Sequence, residues 1–270
     1  MSDFQRVPIV PSSDRDLTSV GGGHVITLPM HHEPGYAYPL IVWLHHTGHN
    51  EHQIEQVLPH ISLRNYAAVG VRGTRATDAK GHGFDWPART IHLALRRVAG
   101  AVASIQTQCR IHSQRIILAG YRSGATMACR IAMRMPRCFG GVIMMDAPFP
   151  ATGFDEVDTP TDSGHGDWAG FKELRARRMP MLWQQAIENR PSNPVETPDL
   201  TDQIHAAQKI QARVEVRQYT QEVMNTVALK DIDHWIMEQV VARGGSDNSD
   251  ANAVIMDESN PWTPRSFSVN

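Results

Sequence analysis

An α/β fold, with a mostly parallel central sheet and helices on both faces, follows from three observations. Short, near-continuous apolar runs recur at Pro39–Leu44, Ile116–Ala119, Phe139–Met145 and Pro180–Gln184, and such runs mark strands buried on both sides. Segments with apolar residues at helical spacing lie between several of them. The resulting order of strand, helix, strand, helix builds a parallel sheet whose crossovers are the helices.

Residues 1–20 are polar, carry Pro8 and Pro11, and read as an extended arm. The folded domain is expected over 21–243, opening with a flexible Gly21–Gly23 and an edge strand at His24–Pro29. Pro39–Leu44 runs into the polar loop His45–His52, at the sheet edge where open α/β folds bind ligands. A helix over Gln53–Leu63, a strand over Tyr66–Val71 and a glycine- and aromatic-rich loop, Asp78–Pro87, follow. Ile91, Leu95, Val98, Val102 and Ile105 place a helix over Ala88–Gln108. Beyond Ile116–Ala119 come a tight turn, Gly120–Gly124, and a helical stripe of Ala125, Ala128, Cys129, Ala132 and Met133. After Phe139–Met145, the segment Ala151–Lys172 is irregular and reads as a surface loop or small lid. Strand Pro180–Gln184, a polar loop to Pro198, a helix over Asp199–Ile210, the alternating strand Val214–Tyr219 and a last helix over Ile232–Val241 complete the domain. Residues 244–270 form a polar tail.

Composition narrows the function classes. A 41% hydrophobic content supports a substantial core, and a net charge of -2 gives no electrostatic case for nucleic acid or an anionic membrane. Cys109, Cys129 and Cys138 are an odd count without metal-ligand spacing, so a reducing, cytoplasmic setting is expected. No apolar run approaches the ~20 residues that a membrane helix needs, and no secretory signal is expected.

The chemistry centres on the stretch Arg115–Arg130. A strand driven through a glycine-flanked turn into a helix is the setting of the nucleophile elbow, G-x-S-x-G. Gly120 and Gly124 bracket its central position, but that position is Arg122. A guanidinium stays protonated at neutral pH and cannot attack a carbonyl.

From about Pro39 to Val241 the chain resembles the phospholipase/carboxylesterase branch of the α/β-hydrolase superfamily, with feruloyl-esterase and polyhydroxyalkanoate-depolymerase relatives. Four landmarks carry the resemblance: Leu40–Glu51, similar to a strand ending in an H-G-x-G-G-N-type oxyanion loop; Val69–Gly73 with Phe84–Pro87; the elbow and its strand; and Pro180–Trp183, Val214–Tyr219 and Trp235 in order. The resemblance implies an oxyanion loop at His45, His46, Thr47 and Gly48, joined by Ser123. It also implies a serine nucleophile, an acid and a base, and here the sequence departs. Arg122 stands for the nucleophile, Asn189 aligns best with the acid, and Thr220–Asn225 contains no histidine. His46 and His49 replace glycines of the oxyanion loop.

Each remaining candidate has two readings. Ser123 either fills the motif as a small residue or serves as a displaced nucleophile, with His45, His46 or His234 as base. His234 otherwise reads as the solvent-facing start of the last helix, beside Asp231 and Asp233. His45, His46, His49 and His52 crowd into eight residues, with Glu51 as a further donor, and offer a metal-assisted alternative. Zinc sites usually pair ligands from two segments, and no Cys-x-x-Cys or H-E-x-x-H accompanies these, so neither metal nor cofactor is expected. Arg122 either pairs with a carboxylate such as Asp146 or Glu188 or presents its charge to a ligand's carboxylate or phosphate. The expectation is an esterase-like, non-catalytic protein that binds a small anionic ligand or a protein partner. The active alternatives are the displaced-serine and metal-assisted hydrolases.

Overall fold

In a computed structural model of the chain, residues 23–149, 176–187, 203–205 and 213–242 are described. The arm 1–20, the segment 151–172, Asn189, Glu188, the tail 244–270 and most of the helix expected over 199–210 lie outside them; Gln203–His205 are helical.

The strands are β1 (His24–Thr27), β2 (Tyr38–Leu44), β3 (Ala67–Val71), β4 (Arg75–Ala76), β5 (Phe84–Asp85), β6 (Ile111–Tyr121), β7 (Gly141–Met145), β8 (Pro180–Ala186) and β9 (Arg213–Tyr219). The helices are α1 (Gln53–Ile61), α2 (Ile91–Gln106), α3 (Ser123–Arg134) and α4 (Thr226–Ile236). Seven strands form one sheet in the order β1-β3-β2-β6-β7-β8-β9. The pair β1–β3 is antiparallel and all other neighbours are parallel.

Strand β2 shows why the sheet is covered twice. Leu40, Val42 and Leu44 point into a core with Val98 and Val102 of α2 and Ile131 of α3. Ile41 and Trp43 point the other way, against Leu58 of α1 and Trp235 of α4. Every residue of β2 is buried, as a parallel strand between two helical layers must be.

Among the boundaries that differ from the sequence reading, three helix ends have a clear local reason. Helix α1 stops at Ile61, two residues early: Pro59 removes a donor from its last turn, and Ser62 is extended while its N–H bonds Leu58 O at 3.0 Å. The start of the second helix is a 3-10 turn at Ala88–Thr90, with the α-helix beginning at Ile91. The last helix begins at Thr226, six residues before the expected Ile232, because Asn225 caps it by accepting from Val227 N at 2.9 Å and Ala228 N at 3.0 Å. It passes at Met237–Val241 into a π-helical turn. The loop Asp78–Pro87 also contains β5, which pairs with β4.

Among the described residues, no helix is long and apolar enough to cross a membrane.

Candidate functional site

The C-terminal ends of β2, β6, β7 and β9 converge on Arg122. Strand β6 passes through Tyr121 into Arg122, whose backbone sits at φ 49°, ψ -117°, and α3 starts at the next residue. That left-handed conformation is unfavourable for a residue with a Cβ, and it throws the side chain up from the sheet edge. The flanking glycines are steric necessities: a Cβ on Gly124 would lie 2.1 Å from Leu44 O, and one on Gly120 would lie 2.7 Å from Ala125 N. The strand, tight turn and helix expected around Gly120–Gly124 are formed, and the residue at the apex of the turn is Arg122.

Arg122 Nε donates to Asp146 Oδ2 at 3.1 Å, and Nη2 donates to Glu222 Oε1 at 3.4 Å. Asp146, a partner the sequence suggests, follows β7 and itself has a positive φ of 48°. Glu222 carries no such sequence signal; it lies after β9 in Thr220–Asn225, which contains no histidine. Its Oε1 also accepts from Tyr121 Oη at 2.6 Å, and the guanidinium carbon sits 4.8 Å from the Tyr121 ring centre. The two carboxylates differ in setting: the Asp146 side chain is 15% exposed and that of Glu222 is 55% exposed.

Ser123 begins α3 beside the elbow. Its Oγ accepts from Thr47 N and from Thr47 Oγ1, both at 2.9 Å; no histidine nitrogen is among its partners in the described residues. An elbow oxyanion hole uses the N–H after the nucleophile and one from the loop after an early strand. Thr47 N belongs to that loop and is already occupied by the serine hydroxyl. Gly48, at φ 85°, lets the loop turn back so that its N–H reaches Phe84 O at 3.0 Å.

His45 is fully buried and works as a strut. Its Nδ1 donates to His46 O at 2.8 Å, its Nε2 accepts from Gly73 N at 2.8 Å, and its carbonyl accepts from Trp86 Nε1 at 2.8 Å. Burial is the main reason that its pKa is lowered to about 4, so the ring is neutral at pH 7. Both ring nitrogens are engaged, which leaves it nothing with which to activate Ser123.

His46 is half-buried and stacks on His49 at 3.9 Å between ring centres. Its pKa is also lowered to about 4, first by burial and then by the charges that His49 and Arg122 can bring against it. Burial lowers His49 as well. His52 turns away to Glu55, 2.9 Å from its Nδ1. Glu51, below the loop, pairs with Arg72 through Nε at 2.9 and 3.0 Å and through Nη2. Burial pushes its carboxyl up, but the Arg72 hydrogen bonds prevail and hold it below its ordinary value. Among the described residues, no group of three or more His, Cys, Asp or Glu is arranged to hold a metal ion.

His234 corrects an expected position. It lies in the last turn of α4, exposed, and not at a helix start. Its neighbour Asp233 accepts from Tyr66 Oη at 2.6 Å, beside the N-terminal end of β3, which puts His234 at the opposite sheet edge from Ser123. Asp231 does not serve a helix N-terminus either; it accepts from Tyr219 Oη at 2.7 Å.

No protein-family model matches the chain, and no curated protein sequence matches it. Solved structures do. A Bacillus cereus carboxylesterase superposes with a TM-score of 0.56 at 12% identity, covering 80% of this chain and 93% of that one. Arabidopsis thaliana SOBER1 gives 0.54 at 14% identity, over 75% and 99% of the two chains. YahD, solved with malic acid, gives 0.52 at 14% identity, over 80% and 98%. The chain has the α/β-hydrolase fold of esterase-like proteins.

Proposed function

We propose that this is a non-hydrolytic α/β-hydrolase-fold protein that binds a small carboxylate-bearing ligand at the elbow. The observation that carries the reading is Arg122 itself, held at φ 49° where the fold presents its reacting group. Three things needed for acyl transfer are replaced together. The nucleophile is a cation, the segment after β9 supplies a carboxylate, and the Thr47 N–H is taken by Ser123.

The same groups suit binding. Asp146 is the fixed partner of Arg122 and sets its orientation. Glu222, more exposed and at the longer distance, is the exchangeable one. A ligand carboxylate takes its place on Nη2, trading one charge-assisted hydrogen bond for another. Ion pairs this exposed contribute at most about 1 kcal/mol, so the exchange is not opposed by much.

The test has two arms. Wild-type protein is assayed with p-nitrophenyl acetate to octanoate and with a fluorophosphonate probe; turnover no higher than buffer and no labelling are expected. Malate, chosen because a protein of this fold was solved with malic acid, is titrated by calorimetry into wild type and Arg122→Gln. Saturable binding that the variant loses supports the reading. Ester turnover that Ser123→Ala abolishes would overturn it and establish a displaced nucleophile.

A further inference from the structure

Beneath the elbow, a chain of three side chains leads from the core to the site. Trp43 is fully buried on β2, and its indole Nε1 lies 2.9 Å from Gln53 Oε1. Gln53, the first residue of α1 and 7% exposed, places its Nε2 2.9 Å from His46 Nδ1. The direction of every bond in this chain follows from what each group can do. An indole nitrogen only donates. Gln53 must therefore turn its carbonyl oxygen to Trp43, which leaves its NH2 facing His46. That NH2 only donates, so Nδ1 must present a lone pair. A neutral imidazole with a lone pair on Nδ1 carries its proton on Nε2.

We infer that Gln53 is a positioning residue that fixes His46 as a neutral hydrogen-bond donor, its Nε2–H on the side away from α1, and that this donor joins Arg122 in holding one ligand carboxylate. The second clause rests on the anion-binding reading above; the first does not. His46 lies edge-to-face with Tyr121 at 5.1 Å between ring centres, in the same cluster as the elbow. The titratable groups around it are His45 and His49 on its own loop, Tyr121 and Arg122 at the end of β6, and Glu222 after β9. Protonating Nδ1 would bring it N–H to N–H against Gln53. The ring thus offers a donor without gaining charge, beside the Nη2 edge of Arg122 that Asp146 leaves to Glu222. The sequence reading took His46 as a departure at a glycine position; its partner Gln53 lies seven residues on, at a helix start, and carries no motif.

Replacing Gln53 by Glu keeps the shape and reverses the instruction. One carboxylate oxygen still accepts from Trp43, while the other accepts from a His46 Nδ1–H. The proton on neutral His46 then moves to Nδ1, and the protonated ring gains a counter-ion.

The experiment is imidazole nitrogen NMR of the ligand-free full chain across pH 4–8, with His46 identified by its disappearance in His46→Gln. Wild type should show His46 as the Nε2–H tautomer, titrating well below the ordinary histidine range. Gln53→Glu should show the Nδ1–H tautomer and a midpoint higher by about one to three pH units. Malate titrations then follow: wild-type affinity should be flat between pH 5.5 and 8, and that of Gln53→Glu should fall at pH 8 and recover at pH 5.5. A wild-type spectrum with the His46 proton on Nδ1, or an ordinary midpoint, overturns the assignment whether or not Gln53→Glu folds. A locked tautomer in a protein that ignores malate sinks the shared-carboxylate clause and the anion reading, while the role of Gln53 stands.

Discussion

Thr47 gives both its backbone N–H and its hydroxyl to Ser123 Oγ, each at 2.9 Å, so the loop after β2 spends two donors on one serine oxygen. On the non-hydrolytic reading proposed above, that serine oxygen holds the donors that a tetrahedral intermediate would need.

Restoring hydrolysis then takes more than restoring the nucleophile. Arg122→Ser alone is expected to hydrolyse p-nitrophenyl acetate no faster than wild type, because residue 222 is still a carboxylate. Arg122→Ser combined with Glu222→His and Ser123→Ala supplies nucleophile, base and a free Thr47 N–H. A gain of about a hundredfold over Arg122→Ser is expected, read as the initial rate of nitrophenolate release; a single variant as active as the triple one refutes this.

On the anion-binding reading proposed above, Glu222 competes with the ligand for Arg122. Removing its charge in Glu222→Gln should tighten malate binding by about three- to tenfold, the equivalent of ~1 kcal/mol. Calorimetry at low salt is the direct measurement. Weaker binding in this variant would mean that Glu222 contacts the ligand favourably and does not compete with it.

Stability should fall in acid through the loop histidines. Both His45 and His46 have pKa values lowered from 6.5 to about 4, so between those values the unfolded chain binds more protons than the folded one. Their contribution is complete above pH 6.5 and is lost as pH falls through 4. Buried His45 contributes about 3 kcal/mol of this, and half-buried His46 contributes less. Thermal melts from pH 7.5 to 4 should show the decline, with a shallower slope in His45→Gln.

The ion pair below the loop should matter more than the one beside it. Glu51 is 4% exposed and Arg72 31% exposed, so Glu51→Gln leaves a half-buried guanidinium short of its partner and should cost about 3 kcal/mol in urea unfolding. Glu55→Gln, which breaks the pair with His52, the two side chains being 53% and 52% exposed, should leave the melting temperature nearly unchanged. Equal losses would contradict this ranking.

These side chains also show what a sequence carries and what it hides. β2 and β7 were legible because residues such as Ile41 and Val42 alternate between two buried faces, which forces a continuous apolar run. Arg122 was legible because Gly120 and Gly124 mark the elbow from either side. Glu222 was not, because its meaning depends on a residue a hundred positions earlier. Asn225 as a helix cap was missed because the apolar spacing of Ile232, Trp235 and Ile236 gives no edge. His45 looked like a ligand-facing imidazole, and nothing local reveals that Gly73 N and His46 O consume both of its nitrogens. Gln53 has no pattern of its own; only the fold brings it between Trp43 and His46.

The His45 strut has a consequence for time as well as for shape. It ties β2 to the turn after β3 and to Trp86, so the ground beneath Arg122 is braced by hydrogen bonds from two neighbouring segments. If a small anion binds as proposed, the exposed Glu222 side chain is the group that swings aside, and exposed rotamers do so in picoseconds to nanoseconds. Capture would then be a single encounter: in stopped-flow traces, its observed rate should climb in a straight line with ligand concentration and show no plateau.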